Sequence, residues 1–359
     1  MTLSNSYDAF LALVRLGVGH PVYKLPENFD WQAIRALALK HGLEAVVLDG
    51  IEKLPESKRP PKDIVLQWIG EVLQNYEQRY EFYCKSIAEM AEFYNTHHHK
   101  MMVLKGYACS LDWPKPNHRP CGDIDIWLFG QQKHADSLLQ EQKGIKVDGS
   151  HHHHTVFYWN DLMVENHYDF LNVHHHKSNE ALEAILKELG RDDSHYVHLN
   201  GEWVYIPSPK LHALFLLRHM MSNFASTGML LRQLLDWAFF VEKHGKEVDW
   251  NWLLKILEKF GMMPLFQLFN AICVENLGFP SDVFPTSQQY VSSLKDRVLN
   301  EILSPEFTEK EKGSIIRRSL FKYRRWKANE WKHKLCYKES MWSAFWSGVW
   351  SHLLKPASI

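Results

Sequence analysis

Apolar residues recur at helical spacing over the first hundred positions of the chain. In "DWQAIRALALKHGLEAVVLDGIEKL" they fall three and four apart, and Asp30 stands where an N-cap belongs. From Pro61 to about Asn95 one amphipathic pattern runs through Ile64, Trp68, Val72, Tyr76, Tyr80, Tyr83, Ile87, Met90 and Phe93, and it predicts a long helix. "PESKRPPKD" before it reads as a linker or turn. Between about 101 and 207 the period shortens. "MMVLKG" predicts a short strand ending in glycine, "YACSLDW" a turn or two of helix, "DIDIWLF" a strand and "QQKHADSLLQEQ" a helix. "IKVDG", "HTVFYWND" and "LMVENHYDF" read as successive strands, the last two joined by a hairpin at Asn160-Asp161, and "EWVYIPSP" closes the region with another. Helical spacing returns from Lys210 in "KLHALFLLRHMMSNF", "MLLRQLLDWAFFVEKHG", "DWNWLLKILEKFG" and "MPLFQLFNAICVENLG". This order predicts an α+β fold, with a small mixed β-sheet core at 101–207. An N-terminal helical region (1–100) and a C-terminal helical domain (208–359) flank it.

Composition narrows the class only a little. Hydrophobic content of 45% and charged content of 23% are those of a globular protein, and 359 residues suffice for a large core. The formal net charge of −1 gives no global field that would favour nucleic acid. Cys84, Cys109, Cys121, Cys273 and Cys336 are scattered without a CxxC pair, which fits a reducing, cytoplasmic setting better than a disulfide framework. The first twenty residues lack a basic start followed by a long apolar run, and no stretch has the roughly 20 apolar residues of a membrane span.

Candidate chemistry sits in "RPCGDIDIWLFG". Asp123 and Asp125 fall on one face of the predicted strand, because strand side chains alternate. Two like charges there, within an otherwise apolar strand, are costly without a partner, and a cation resolves the conflict. Magnesium binds through a few hard carboxylate oxygens together with substrate phosphates, so a D-x-D pair suits it. Glu165, in the strand-like "LMVENH", is the candidate third carboxylate; alternation puts His167 and Asp169 on its face. The Lys105-Gly106 turn upstream offers charge and backbone amides to phosphate.

These residues together carry a resemblance. Lys105-Gly106, Arg119 shortly before Asp123 and Asp125, Glu165 and His167 on one strand, then His219 and "LLRQLLD" with Arg232 and Asp236, resemble a bacterial group of uncharacterised nucleotidyltransferases. That group lies within the polymerase beta-like nucleotidyltransferase superfamily. The resemblance covers about 40–350 and is most specific over 103–170. It implies a magnesium (or manganese) dependent transfer of a nucleotidyl group from an NTP, with ATP a candidate, to a hydroxyl of an acceptor. In the superfamily acceptors are small molecules, proteins or RNA. It implies that Asp123, Asp125 and Glu165 hold the metal and act in catalysis, and that Lys105, Gly106, Arg119, His167 and Arg232 bind the nucleotide. The chain departs from the usual pattern in having Gly106-Tyr107 where Gly-Ser or Gly-Gly is common, and in the 17 positions between Gly106 and Asp123. An alternative keeps the fold as a catalytically silent ligand- or partner-binding protein.

Two other features stand outside that pattern. Histidine runs at 97–99, 151–154 and 174–176 invite a structural-zinc reading, but consecutive histidines cannot all face one centre, which favours loop histidines that bind metal adventitiously; His154 and His167 differ in that the strand pattern places them near Glu165. His212 and Arg218 are weaker site candidates. Near the end, "RRSLFKYRRWKANEWKHK" is basic with interleaved aromatics, and Trp342, Phe345, Trp346, Val349, Trp350 and Leu353 form a helical stripe. Docking onto the body is the ordinary expectation, with contact to a membrane surface, a nucleic acid or another partner through 317–354 as the other readings.

Overall fold

The computed structural model describes residues 3–22, 24–151, 153–173, 176–226, 228–285, 290–307, 315–344 and 346, with the backbone alone at 3, 4, 315, 316 and 319. At the N-terminal end, the helix Trp31–His41 starts where the sequence places its cap. The Asp30 carboxylate accepts from the backbone N–H of Gln32 at 2.9 Å, and Gly42 ends the helix in the left-handed region at φ 64°. The long pattern from 61 to 95 forms the helices Lys62–Val72 and Arg79–Thr96, joined without a break by a π-helical stretch, Leu73–Gln78. Its wider turn changes what the helix buries. Trp68, Val72 and Tyr76 join the core of the helical layers, whereas Tyr83, Ile87, Met90 and Tyr94 join the core beneath the sheet.

Among the described residues, six strands make one mixed sheet: β1 (Met102–Val103), β2 (Ile124–Trp127), β3 (His154–Trp159), β4 (Leu162–His167), β5 (Tyr196–Leu199) and β6 (Glu202–Tyr205), in the order β3-β4-β2-β1-β6-β5. β2 runs parallel to β4 and β1 parallel to β6; the other neighbours are antiparallel. The fold is therefore α+β. Both hairpins turn on residues with positive φ: Asn160 and Asp161 between β3 and β4, and Asn200 and Gly201 between β5 and β6.

The structure departs from the sequence pattern in two places. "IKVDG" is not a strand, since only Asp148 pairs with Val156, in an isolated bridge. Its polar flanks leave too little to bury for a full ladder. The helix Lys177–Leu189 and the edge strand β5 went unread, although the helix carries Leu182, Ile185, Leu186 and Leu189 at helical spacing.

Alternation along the strands divides the sheet chemically. Ile124, Ile126, Val164 and Phe157 point into a core with the helices Arg79–Thr96 and Gln132–Lys143. The opposite face carries Asp125, Trp127, Glu165 and His167, and its apolar members pack with the C-terminal helices Pro209–Ala225, Leu231–His244 and Met263–Glu275. Among the described residues no helix is long and apolar enough to cross a membrane. Trp342 and Trp346 are exposed, and Trp342 meets Trp326 edge-on at 4.8 Å. Phe345, Val349, Trp350 and Leu353 lie outside the described residues.

Buried histidines tie these layers and make stability pH-dependent. His41 accepts from the backbone N–H of Leu231 through Nδ1 at 3.2 Å and donates through Nε2 to the Leu303 carbonyl at 3.3 Å, a pairing that only the neutral ring allows. Burial, and then the neighbouring Lys40, hold its pKa down to about 4. A histidine depressed in the fold takes up protons first in the unfolded chain, so its contribution is complete above pH 6.5 and is lost as pH falls toward 4. The slope is up to about 1.4 kcal/mol per pH unit. Urea midpoints at pH 7 and pH 5 should therefore differ less in His41→Gln than in the parent. Equal pH slopes would refute the assignment.

Candidate active site

The site begins at the Lys105-Gly106 turn, where β1 gives way to the short helix Gly106–Ser110. Gly106 has φ 40°, and a Cβ there would stand 2.4 Å from the Tyr83 hydroxyl oxygen, so only glycine fits. That hydroxyl donates to the main-chain carbonyl of Asp123 at 2.8 Å. Tyr83 thus brackets the glycine turn and the aspartate pair in one contact. Tyr107, which stands where serine is common, is buried and packs into the core beneath the sheet.

Asp125 is the hub. It lies directly opposite Glu165 across the parallel β2–β4 pair, and Trp127 opposite His167. Lys105 Nζ lies 2.6 Å from Asp125 Oδ1, and His167 Nε2 donates to the same oxygen at 2.9 Å while lying 3.4 Å from Glu165 Oε2. Burial pushes the Asp125 carboxyl up, but Lys105 and His167 outweigh it and hold it well below the usual carboxylate range. His167 shows the reverse balance: burial disfavours its charge, yet hydrogen bonds to Asp125 and Glu165 lift its pKa to about 9. Asp123, less buried, is pushed up by burial and then by Asp125. Three carboxylates against two cations leave the cluster one negative charge.

Arg119 and Arg232 differ in their commitments. Arg119 is buried, with Nε 2.8 Å from Asp236 Oδ1 and Nη2 2.9 Å from Oδ2, a bidentate fork that fills the guanidinium. Trp113 Nε1 donates to Asp236 Oδ1 at 2.9 Å. Asp236 therefore does not pair with Arg232 along its own helix, as the four-residue spacing suggests, because a neighbouring segment offers a better-shaped partner. Arg232 is left with the Pro120 carbonyl at 3.5 Å, and its Nε is buried without a hydrogen-bond partner. Burial, and then the charge of Arg119, bring its pKa down.

A cavity of about 400 Å³ joins these groups, with Lys105, Asp123, Asp125, Arg232 and His219 on its walls. Arg119, Gly106 and Asp236 line it too. His219 contacts Asn223 at 3.1 Å, and burial followed by Lys105 lowers its pKa to about 3. Glu165 and His167 are not on these walls but reach the cavity through Asp125. His212 sits behind it, with Nε2 3.7 Å from Cys109 Sγ. Arg218 is elsewhere, bonded to Asn179, Ser178 and the Cys336 carbonyl. Tyr83, Trp113 and Asn223 are the members that sequence reading missed. No local motif marks them, since each acts through a contact with a distant segment.

The donor set suits a hard dication. Ligand atoms of Asp125, Glu165 and His167 lie within 4.8 Å of one another, with Asp123 one step along the chain from β2. The carboxylates of Asp123, Asp125 and Glu165 are the hard oxygen donors that magnesium or manganese takes, while His167 is engaged with Asp125.

A family described as "Uncharacterised nucleotidyltransferase" matches this sequence over residues 27–278. The chain belongs to that nucleotidyltransferase family. The matched span holds the whole sheet and every cavity residue named above, and stops before the basic helix Ile315–Ala328. Among solved structures, the chain is similar to an antigenic nucleotidyltransferase-like protein from Paracoccidioides brasiliensis. That likeness has a TM-score of 0.36 and 14% identity, and it covers 56% of this chain and 95% of that one. No curated protein matches.

Proposed function

We propose that this member of the nucleotidyltransferase family is an active enzyme, transferring a nucleotidyl group from an NTP to a hydroxyl of an acceptor in the cavity beside β2. One observation carries the reading: Arg232, a partly buried guanidinium with an unpaired Nε, shares a wall with Asp123 and Asp125. A desolvated cation without a carboxylate partner calls for an anion, and clustered carboxylates call for a metal. A metal-bound polyphosphate satisfies both.

Asp123, Asp125 and Glu165 would hold magnesium or manganese, which supplies charge neutralisation on the phosphates and a more acidic acceptor hydroxyl. The chain's own groups do the rest. Arg232 and Lys105 bind phosphate oxygens, and Gly106 allows backbone close to them. Arg119, its fork filled by Asp236, fixes the wall from which Arg232 extends. His167 holds the Asp125 carboxylate in orientation and is a positioning residue. In the reaction the acceptor oxygen bonds to the α-phosphorus, the bond to pyrophosphate breaks, and the hydroxyl proton passes to Asp123, a carboxylate on the cavity wall that burial and Asp125 make more basic.

The test is incubation with α-labelled NTPs, magnesium and a cell extract. Label transfer with pyrophosphate release supports the reading, whereas equal labelling by wild type and Asp123→Ala/Asp125→Ala would sink it. Arg232→Gln tests the carrying observation. It should weaken nucleotide binding by about 1.5–3 kcal/mol, roughly 10- to 100-fold, as expected for a charge-assisted hydrogen bond. Calorimetric titration with unchanged affinity would exclude Arg232 from the nucleotide site.

A further inference from the structure

Beside the carboxylates, β3 and β4 bring together a second donor set of different chemistry. His167 lies directly opposite His154 in the antiparallel β3–β4 pair, and His153 immediately precedes β3. Directly opposed strand residues share a face with Cβ atoms about 5 Å apart, so the pairing register itself collects the rings. The segment is pinned as well: the backbone N–H groups of Tyr168 and Asp169 both donate to the His153 carbonyl at 3.1 Å, and the Tyr168 hydroxyl donates to the His151 carbonyl at 2.8 Å.

Ring centroids are 4.4 Å apart for His153 and His154, 5.3 Å for His154 and His167, and 5.7 Å for His153 and His167. Imidazoles bound at about 2 Å to one tetrahedral ion have ring centres about 5 Å apart. One ring nitrogen from each lies within 4.8 Å of one from each of the others. Glu165 offers a fourth ligand, with Oε1 3.8 Å from His154 Nε2 and Oε2 3.4 Å from His167 Nε2. An independent observation points the same way. Among the described residues, the Nδ1 atoms of His153 and His154 are buried without hydrogen-bond partners. Such orphaned polar atoms cost about 1–3 kcal/mol each, and a metal bond made through the two Nδ1 atoms removes that penalty.

We propose that His153, His154 and His167, with Glu165, bind a zinc-class transition-metal dication. Three imidazoles and one carboxylate select such an ion over magnesium, which prefers oxygen throughout. Both sites use Glu165, and His167 orients Asp125 in one and is a ligand in the other, so filling the imidazole site disturbs the carboxylate site. Drawing His167 into the imidazole set breaks its 2.9 Å contact with Asp125. Zinc therefore antagonises the transfer reaction; this second statement rests on the proposed function, whereas the binding site does not.

The test uses the purified full chain, stripped with a chelator and titrated with zinc alone against a chromogenic competitor. One equivalent binds to the wild type. Affinity falls at least about 100-fold in His153→Ala/His154→Ala, two ligands being lost. It is kept in Asp123→Ala and in His99→Ala/His134→Ala, the latter pair lying in a different pocket. Zinc-edge X-ray absorption on the wild type shows a three-imidazole shell. Undiminished affinity in His153→Ala/His154→Ala, a wild type that binds no zinc, or a spectrum without the imidazole shell overturns the site. In label-transfer assays zinc lowers the wild-type rate, and the double variant loses that response relative to its own zinc-free rate. Inhibition persisting in the double variant overturns the antagonism. If no protein transfers label, the proposed function fails while the titration still decides the zinc site.

Discussion

Replacing Asp125 with alanine is expected to lower nucleotidyl transfer about a thousandfold while leaving the chain folded. Asp125 is the point where the site's charges meet: Lys105 and His167 both bond to its Oδ1, and Glu165 stands opposite it in the next strand. A carboxylate that helps hold the metal acts on charge developing in the transition state. The loss of such an interaction costs several kcal/mol, and about 4 kcal/mol corresponds to about a thousandfold in rate. Asp125→Asn sharpens the experiment, since it keeps the shape and one oxygen acceptor but removes the negative charge. Both variants should lose activity together, with circular dichroism confirming the fold. If Asp125→Asn retains more than about a tenth of the wild-type rate, the charge is not used in the metal site as proposed, an inference grounded in the rate scale above.

The second large effect is on stability. Asp236→Ala strips the Arg119 guanidinium of both its carboxylate contacts and leaves Trp113 Nε1 without its acceptor, all within a buried region. Breaking a buried ion pair from one side typically costs about 3–5 kcal/mol, because the remaining charge stays desolvated. Urea unfolding should register that loss. The variant Arg119→Met/Asp236→Leu removes both charges and should be less destabilised than Asp236→Ala alone, since the two sites are strongly coupled. Additive losses in the double variant would show that Arg119 finds solvent or another partner when Asp236 is removed.

These two residues also mark how far the sequence reaches. Asp125 was legible because its signal is local: alternation puts it with Asp123 on one strand face, and apolar neighbours make that strand interior. The same local reasoning found the Lys105-Gly106 turn, the hairpin at Asn160-Asp161 and the Asp30 cap, each fixed by a few consecutive residues. The partner of Arg119 was not legible. Asp236 lies on a helix 117 positions away, and its spacing from Arg232 suggested a pairing along the helix instead. Tyr83 is one member of an amphipathic stripe, and nothing in that stripe says that its hydroxyl closes over Gly106 and Asp123.

The sequence by itself determined which faces of the strands and helices are apolar and where the carboxylates stand along β2 and β4. Those properties depend on periodicity, and periodicity is written in neighbouring residues. Only the tertiary structure decided which strand pairs with which and in what register. That register sets Glu165 against Asp125 and His154 against His167, and the helix packing turns Arg232 toward the cavity while Arg119 is spent on Asp236. A hydrogen bond or a shared ligand needs atoms within a few ångströms, and chain segments a hundred residues apart carry no local mark of that proximity.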